Sequence, residues 1–164
     1  MTKNICFLIL TVIFSCKQEP KTGSIPQVVT PEETKPNITQ IKEELTTKGF
    51  RIFDYVDEAT KDTILMQQYY MAFLKRGPNR SSSKAELDSL QLLHLAHLTR
   101  MYEEGYADIS GPFGDNGEIR GVTIYNTPTL EMADSLAHLD PMVRSGRLII
   151  EIHPWWAAKG FPLR

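Results

Sequence analysis

Apolar residues along this chain keep two rhythms, and the change from one to the other marks out its elements. Leu87, Leu90, His94, Leu98 and Met101 recur in steps of three and four, which at about 100° per residue places them on one helical face. His94 stands at the centre of that stripe. Gln91, Leu95 and Tyr102 widen one flank and His97 the other, while Glu86, Ser89, Arg100, Glu103 and Glu104 take the solvated side. Ser81, Ser82 or Ser83 can cap the helix, Ser83 standing at capping-box spacing from Glu86, and Gly105 is placed to end it.

Upstream, Ile38, Ile41 and Leu45 predict a short helix stopped at Gly49. Phe50, Ile52, Phe53 and Tyr55 predict a short strand. Ile64 to Leu74, rich in β-branched and aromatic residues, predicts a longer one able to pair with it as a hairpin. Downstream of Tyr106 a second hairpin leads into Glu118–Asn126, with Asp115-Asn116-Gly117 expected to supply left-handed turn residues. Thr127-Pro128-Thr129 opens a helix over Leu130–Leu139 that buries Leu130, Ala133, Leu136 and Ala137. Asp140-Pro141 ends it, because the residue before proline avoids the α region. Met142–Gly146 is a single turn and Leu148–Ile152 a last, largely buried strand. His153-Pro154-Trp155-Trp156 then closes the domain ahead of a tail, Ala157–Arg164.

From Ile64 to His153 the order is strand, helix, strand, strand, helix, strand. That is the β-α-β-β-α-β arrangement of ferredoxin-like α+β folds, here with an extra N-terminal helix and strand over residues 38–62. Helices on one face of an antiparallel sheet leave its other face to be covered. In a core of about 90 residues, pairing two sheets in a homodimer is the economical cover.

The first residues belong to targeting rather than to the fold. Lys3 gives a positive start and Ile5–Phe14 an apolar run, too short for the roughly 20 residues of a membrane-spanning helix but of signal-peptide length. Ile13-Phe14-Ser15-Cys16 then resembles a bacterial lipobox, with the bulky Phe14 where a small residue is usual. Residues 1–16 are thus expected to be a lipoprotein signal with Cys16 as the lipidated residue, anchoring the chain to a membrane of the bacterial cell envelope. Both cysteines, Cys6 and Cys16, lie in this segment, so the domain proper has no disulfide, thiol nucleophile or thiolate metal site. Residues 17–37 carry Pro20, Pro26, Pro31 and Pro36 among Lys, Glu, Thr and Gly, the composition of a semi-extended tether. Net charge is −2 with a pI near 6.1, and no long basic run or RNP motif is present, which argues against nucleic acid. Dinucleotide and P-loop motifs are absent, and His94 and His97 lack metal-binding spacing, so neither cofactor nor metal is expected.

The candidate chemistry centres on His94. Imidazole is the side chain that titrates unperturbed near neutral pH, and a partner carboxylate would fix its tautomer while burial opposes its charge. Such a group can act as general acid or base; the alternative is a core histidine bonded to a backbone carbonyl. Arg76 and Arg80 in the loop before the helix lie near its N-terminus, where anions are favoured.

His94-Leu95-Ala96-His97-Leu98, Gly111-Pro112, and Asp140-Pro141 followed by Gly146 together resemble the YCII-related family over residues 63–164. The Gly77-Pro78-Asn79-Arg80 loop and Trp155-Trp156 look like features of a lipoprotein subgroup of it. The resemblance implies a dimeric α+β-barrel type of fold and proton-transfer chemistry on a small anionic molecule, of isomerase, lyase or dehalogenase type, through a His/Asp pair. Carried over by motif, the pair is His94 and Asp140, with Asp115 the second candidate for the acid; on this hypothesis Arg80 and Arg120 orient the substrate. The competing hypothesis is a non-catalytic ligand-binding or structural lipoprotein that has kept the fold and buried its histidine.

Overall fold

The computed structural model describes residues 37–80, 83–161 and 163. The signal segment, Cys16 and almost all of the tether lie outside the described residues. Helix α1 (Ile38–Thr47) starts at Asn37, whose side chain accepts from the Thr39 N–H at 3.0 Å, and stops ahead of Gly49 at φ +81°. Strands β1 (Ile52–Val56) and β2 (Thr63–Arg76) form the expected hairpin, in a register that sets Phe53 opposite Met66. In its turn the Asp57 carboxylate accepts from the Ala59 and Thr60 N–H groups, and Lys61 takes φ +61°.

The long helix α2 (Lys84–Glu103) has its full capping box: the Glu86 N–H donates to Ser83 Oγ, and the Ser83 N–H donates to the Glu86 carboxylate at 2.7 Å. Its end is a Schellman turn, with Tyr106 N–H on Met101 O, Gly105 N–H on Tyr102 O, and Gly105 at φ +75°. Strands β3 (Ala107–Pro112) and β4 (Ile119–Tyr125) follow, then α3 (Leu130–Ala137), α4 (Pro141–Arg144) and β5 (Leu148–Ala158).

The architecture is α+β, with a five-stranded antiparallel sheet. β2 is its spine: β5 pairs along one edge from Met66 to Arg76, while β1 and β4 share the other edge, at Thr63–Gln67 and Tyr70–Lys75. β3 lies outside β4. Tyr70, Ala72, Ala107 and Tyr125 on the sheet pack against Met101 of α2 and Ala133 and Ala137 of α3, with Ile150 and Ile152 joining them. The helices therefore cover one face. Alternation along the strands turns Tyr69, Met71, Phe73 and Lys75, with their β5 partners Trp155, His153, Glu151 and Ile149, to the other face.

Four sequence expectations need correction. Asp115-Asn116-Gly117 contains no left-handed residue. The β3–β4 loop is long enough to turn without one, and Asp115 Oδ1 accepts from Gly117 N–H instead. β5 runs on through Trp155-Trp156 to Ala158 rather than stopping near Ile152, because the full length of β2 offers it a partner and an edge strand tolerates Pro154. Asp140-Pro141 does not end α3, which stops at Ala137, but starts α4 with Asp140 as N-cap and proline in its first turn. Leu95 and Tyr102 are exposed, as are Leu92, Leu93 and Leu130; the inward stripe of α2 narrows to His94, His97 and Met101.

Candidate functional site

His94 reaches the interior because α2 crosses the sheet with that face inward, and it is 9% exposed. Its Nδ1 lies 2.6 Å from Oδ2 of Asp140, which is 3% exposed. Asp140 is fixed by its own local role: Oδ1 accepts the Met142 N–H at 2.9 Å, and its carbonyl accepts from Arg144 N–H. One carboxylate thus caps α4 with one oxygen and holds the histidine with the other. A carboxylate can only accept, so Nδ1 carries the proton and Nε2 remains available to the cavity that His94 lines.

That cavity has a volume of about 440 Å³ and lies between α2, the β3–β4 hairpin and the α4–β5 junction. Leu74, Leu98, Val122, Met142 and Leu148 make an apolar wall, and Ser110 and Thr123 share a 3.0 Å hydroxyl–hydroxyl bond beside it. Arg80, Arg120 and Arg147 also line it. Arg80 Nη1 donates to the Arg147 carbonyl at 3.2 Å, and Arg120 Nη1 donates to the carbonyls of Asp115 and Gly117. Among the described residues no carboxylate lies within ion-pairing distance of these three guanidiniums.

Of the residues singled out from sequence, His94 and Asp140 are in contact, and Arg80 and Arg120 line the same cavity. Asp115 is engaged in its own turn, away from the imidazole that Asp140 holds. Arg147 was not anticipated; its signal was a basic residue directly after Gly146, in a motif already noted for its Asp-Pro start.

His97, 4% exposed, sits in a different environment. Its Nδ1 accepts from Arg100 at 3.2 Å, so the ring is neutral with the proton on Nε2, a buried atom that finds no partner. Burial lowers its pKa, and the nearby Asp140 charge opposes that shift. Burial and then the Asp140 charge push the Tyr125 phenol up, keeping it protonated below the dyad.

No family model and no curated protein matches this chain. Among solved structures it is similar to the 5-chloro-2-hydroxyhydroquinone dehydrochlorinase of Burkholderia phenoliruptrix AC1100 in complex with 2,5-dihydroxybenzoquinone. The identity is 17% over 53% of this chain and 92% of that one, with a TM-score of 0.41.

Proposed function

We propose that this chain is a YCII-like protein, anchored by lipid on Cys16, that performs proton-transfer chemistry on a small anionic molecule through His94 and Asp140. The observation that carries this reading is the 2.6 Å bond from His94 Nδ1 to a buried carboxylate, at the wall of a cavity that also receives arginines. Nε2 takes a proton from a carbon of the bound anion. Asp140 stabilises the imidazolium that forms, and the same atom returns the proton to another position or to a departing group. Arg80 and Arg120 hold the anion and disperse the charge developing on it.

The strand order β5-β2-β4-β3 with helices on one face supports a ferredoxin-like fold. The apolar side chains on the other face support a homodimer of the α+β-barrel type. The anchor puts the domain on a bacterial envelope membrane; an unmodified Cys16 in the mass spectrum of the native protein would remove that part.

The test is solvent deuterium incorporation, followed by NMR, into a panel of keto, hydroxy and unsaturated carboxylates. Wild type is expected to exchange at least one of them, and His94→Gln to slow that exchange by about 10²–10⁴-fold while still folded. Asp140→Asn should slow it too while leaving α4 intact, since asparagine caps a helix as well as aspartate does. Equal exchange by wild type and His94→Gln, or none by wild type, would sink the catalytic reading and leave a core histidine.

A further inference from the structure

The loop carrying Arg80 is zipped onto the start of β5. Gly77 N–H donates to the Arg147 carbonyl, Asn79 N–H to Gly146 O, the Asn79 side-chain amide to Ser145 O, and Arg80 Nη1 again to Arg147 O. The fit admits no side chain at residue 77: a Cβ there would meet Gly146 O at 2.2 Å and the Arg147 carbonyl carbon at 2.7 Å. Gly146 itself needs φ +71° to turn the chain from α4 into β5. The backbone thus forces two like charges together. Arg147 is half-buried, and its Nη1 is fully enclosed without a hydrogen-bond partner. An enclosed, unpaired guanidinium N–H is costly, and the residue that carries it lines a ligand-sized cavity.

Resting on the reading of this cavity as a substrate site, we infer that Arg147 is its principal anion anchor and that the ligand is a small dianion with an apolar carbon skeleton. Arg80, Arg120 and Arg147 bring three positive charges whose protein partners, where they have any, are backbone carbonyls. The Asp140 charge is already engaged by His94 and the α4 N-terminus. A single carboxylate engages one guanidinium bidentately and leaves the other two facing each other. Two negative charges, as two carboxylates or one phosphoryl group, match the cluster. Partial desolvation of Arg80, and next to it the charges of Arg147, Arg76 and Arg120, outweigh the opposing charge of Glu118 and hold its pKa below the ordinary value. The wall of Leu74, Leu98, Met142 and Leu148 fits the skeleton between these charges and His94.

The experiment is calorimetric titration of the full chain, at fixed ionic strength, with benzamide, benzoate, isophthalate and phenyl phosphate. Isophthalate or phenyl phosphate is expected to bind about tenfold or more tightly than benzoate, and benzamide not at all; which of the two wins identifies dicarboxylate or phosphoryl chemistry. Arg147→Met should erase the preference for double charge, and Arg147→Lys should keep part of it. Arg144→Met, an equal loss of charge on an exposed residue that does not line the cavity, should change nothing. Benzoate binding as tightly as both dianions, or a preference surviving Arg147→Met, overturns the inference. Should Arg147→Met not fold, the wild-type ranking and the Arg147→Lys comparison decide. Because binding is read without turnover, a dianion preference in a protein that exchanges no carbon-bound proton would keep the anion site and discard the catalysis, and the reverse result would do the opposite.

Discussion

Two histidines one helical turn apart show how little residue type decides. His94 has its Nδ1 proton committed to Asp140 and its other nitrogen at a cavity; His97 has its acceptor nitrogen occupied by Arg100 and its N–H enclosed. The first is the group proposed to exchange protons with a ligand, while the second is buried neutral. A histidine whose folded pKa lies below its unfolded value near 6.5 contributes stability that is present above that value and is lost as pH falls through the folded pKa. Acidification from pH 7 towards 5 is therefore expected to destabilise wild type, and His97→Gln should flatten that slope in urea titrations run across the range. An unchanged slope would mean that His97 does not resist protonation.

The decisive element is the smallest helix. α4 has only four residues, yet its N-cap is the acid that holds His94, and the turn that leaves it delivers Arg147. The loop at residues 77–80 is tied to the same segment, so Gly77 acts on the site from outside it. Gly77→Ala is expected to cost about 1–3 kcal/mol through overpacking against Gly146 and Arg147, and to weaken anion binding by parting Arg80 from Arg147. Gly114→Ala, where an added Cβ meets nothing within 4 Å, is the comparison and should leave both stability and binding in place. Equal behaviour of the two variants in denaturation and titration would show that the close approach carries no weight.

For the whole molecule, the sheet face turned away from the helices carries exposed apolar side chains. Ile109, Ile149 and Trp155 are each at least 40% exposed, and Phe73 stands between β4 and β5 partners with its ring edge-on to His153. Polar relief comes from the Lys75–Glu151 pair at 2.8 Å. A face of this kind associates when a matching surface is offered, and a second copy offers it under two-fold symmetry. Sedimentation at micromolar concentration is expected to give a dimer for wild type and a monomer for Ile149→Glu, which as a surface change should cost the monomer within about 0.5 kcal/mol. A wild type that stays monomeric would leave this face without its proposed partner.

Much of this architecture was already written in local chemistry. The capping box of Ser83 and Glu86, the glycine stops at Gly49 and Gly105, and the β-branched and aromatic content of β2 act locally, so the sequence alone determined α1, α2 and the strand order of the two hairpins. It also put His94 on an inward helical face, because helical periodicity is a local property. What it could not determine depended on partners distant along the chain. β5 is long because β2 is long, and only the assembled sheet offers that edge. Leu95 and Tyr102 read as the flank of the apolar stripe but are exposed, since the inward face of α2 is narrower than its hydropathy pattern. The resemblance ranked Asp140 ahead of Asp115, whose place in a turn already accounted for it, but could not place either carboxylate against His94. The fold brought the first across 46 positions to within 2.6 Å of His94 and left the second holding its own turn. Arg147 became part of the site for the same reason: strand pairing and the close approach at Gly77, not any local pattern, set three like charges around one cavity.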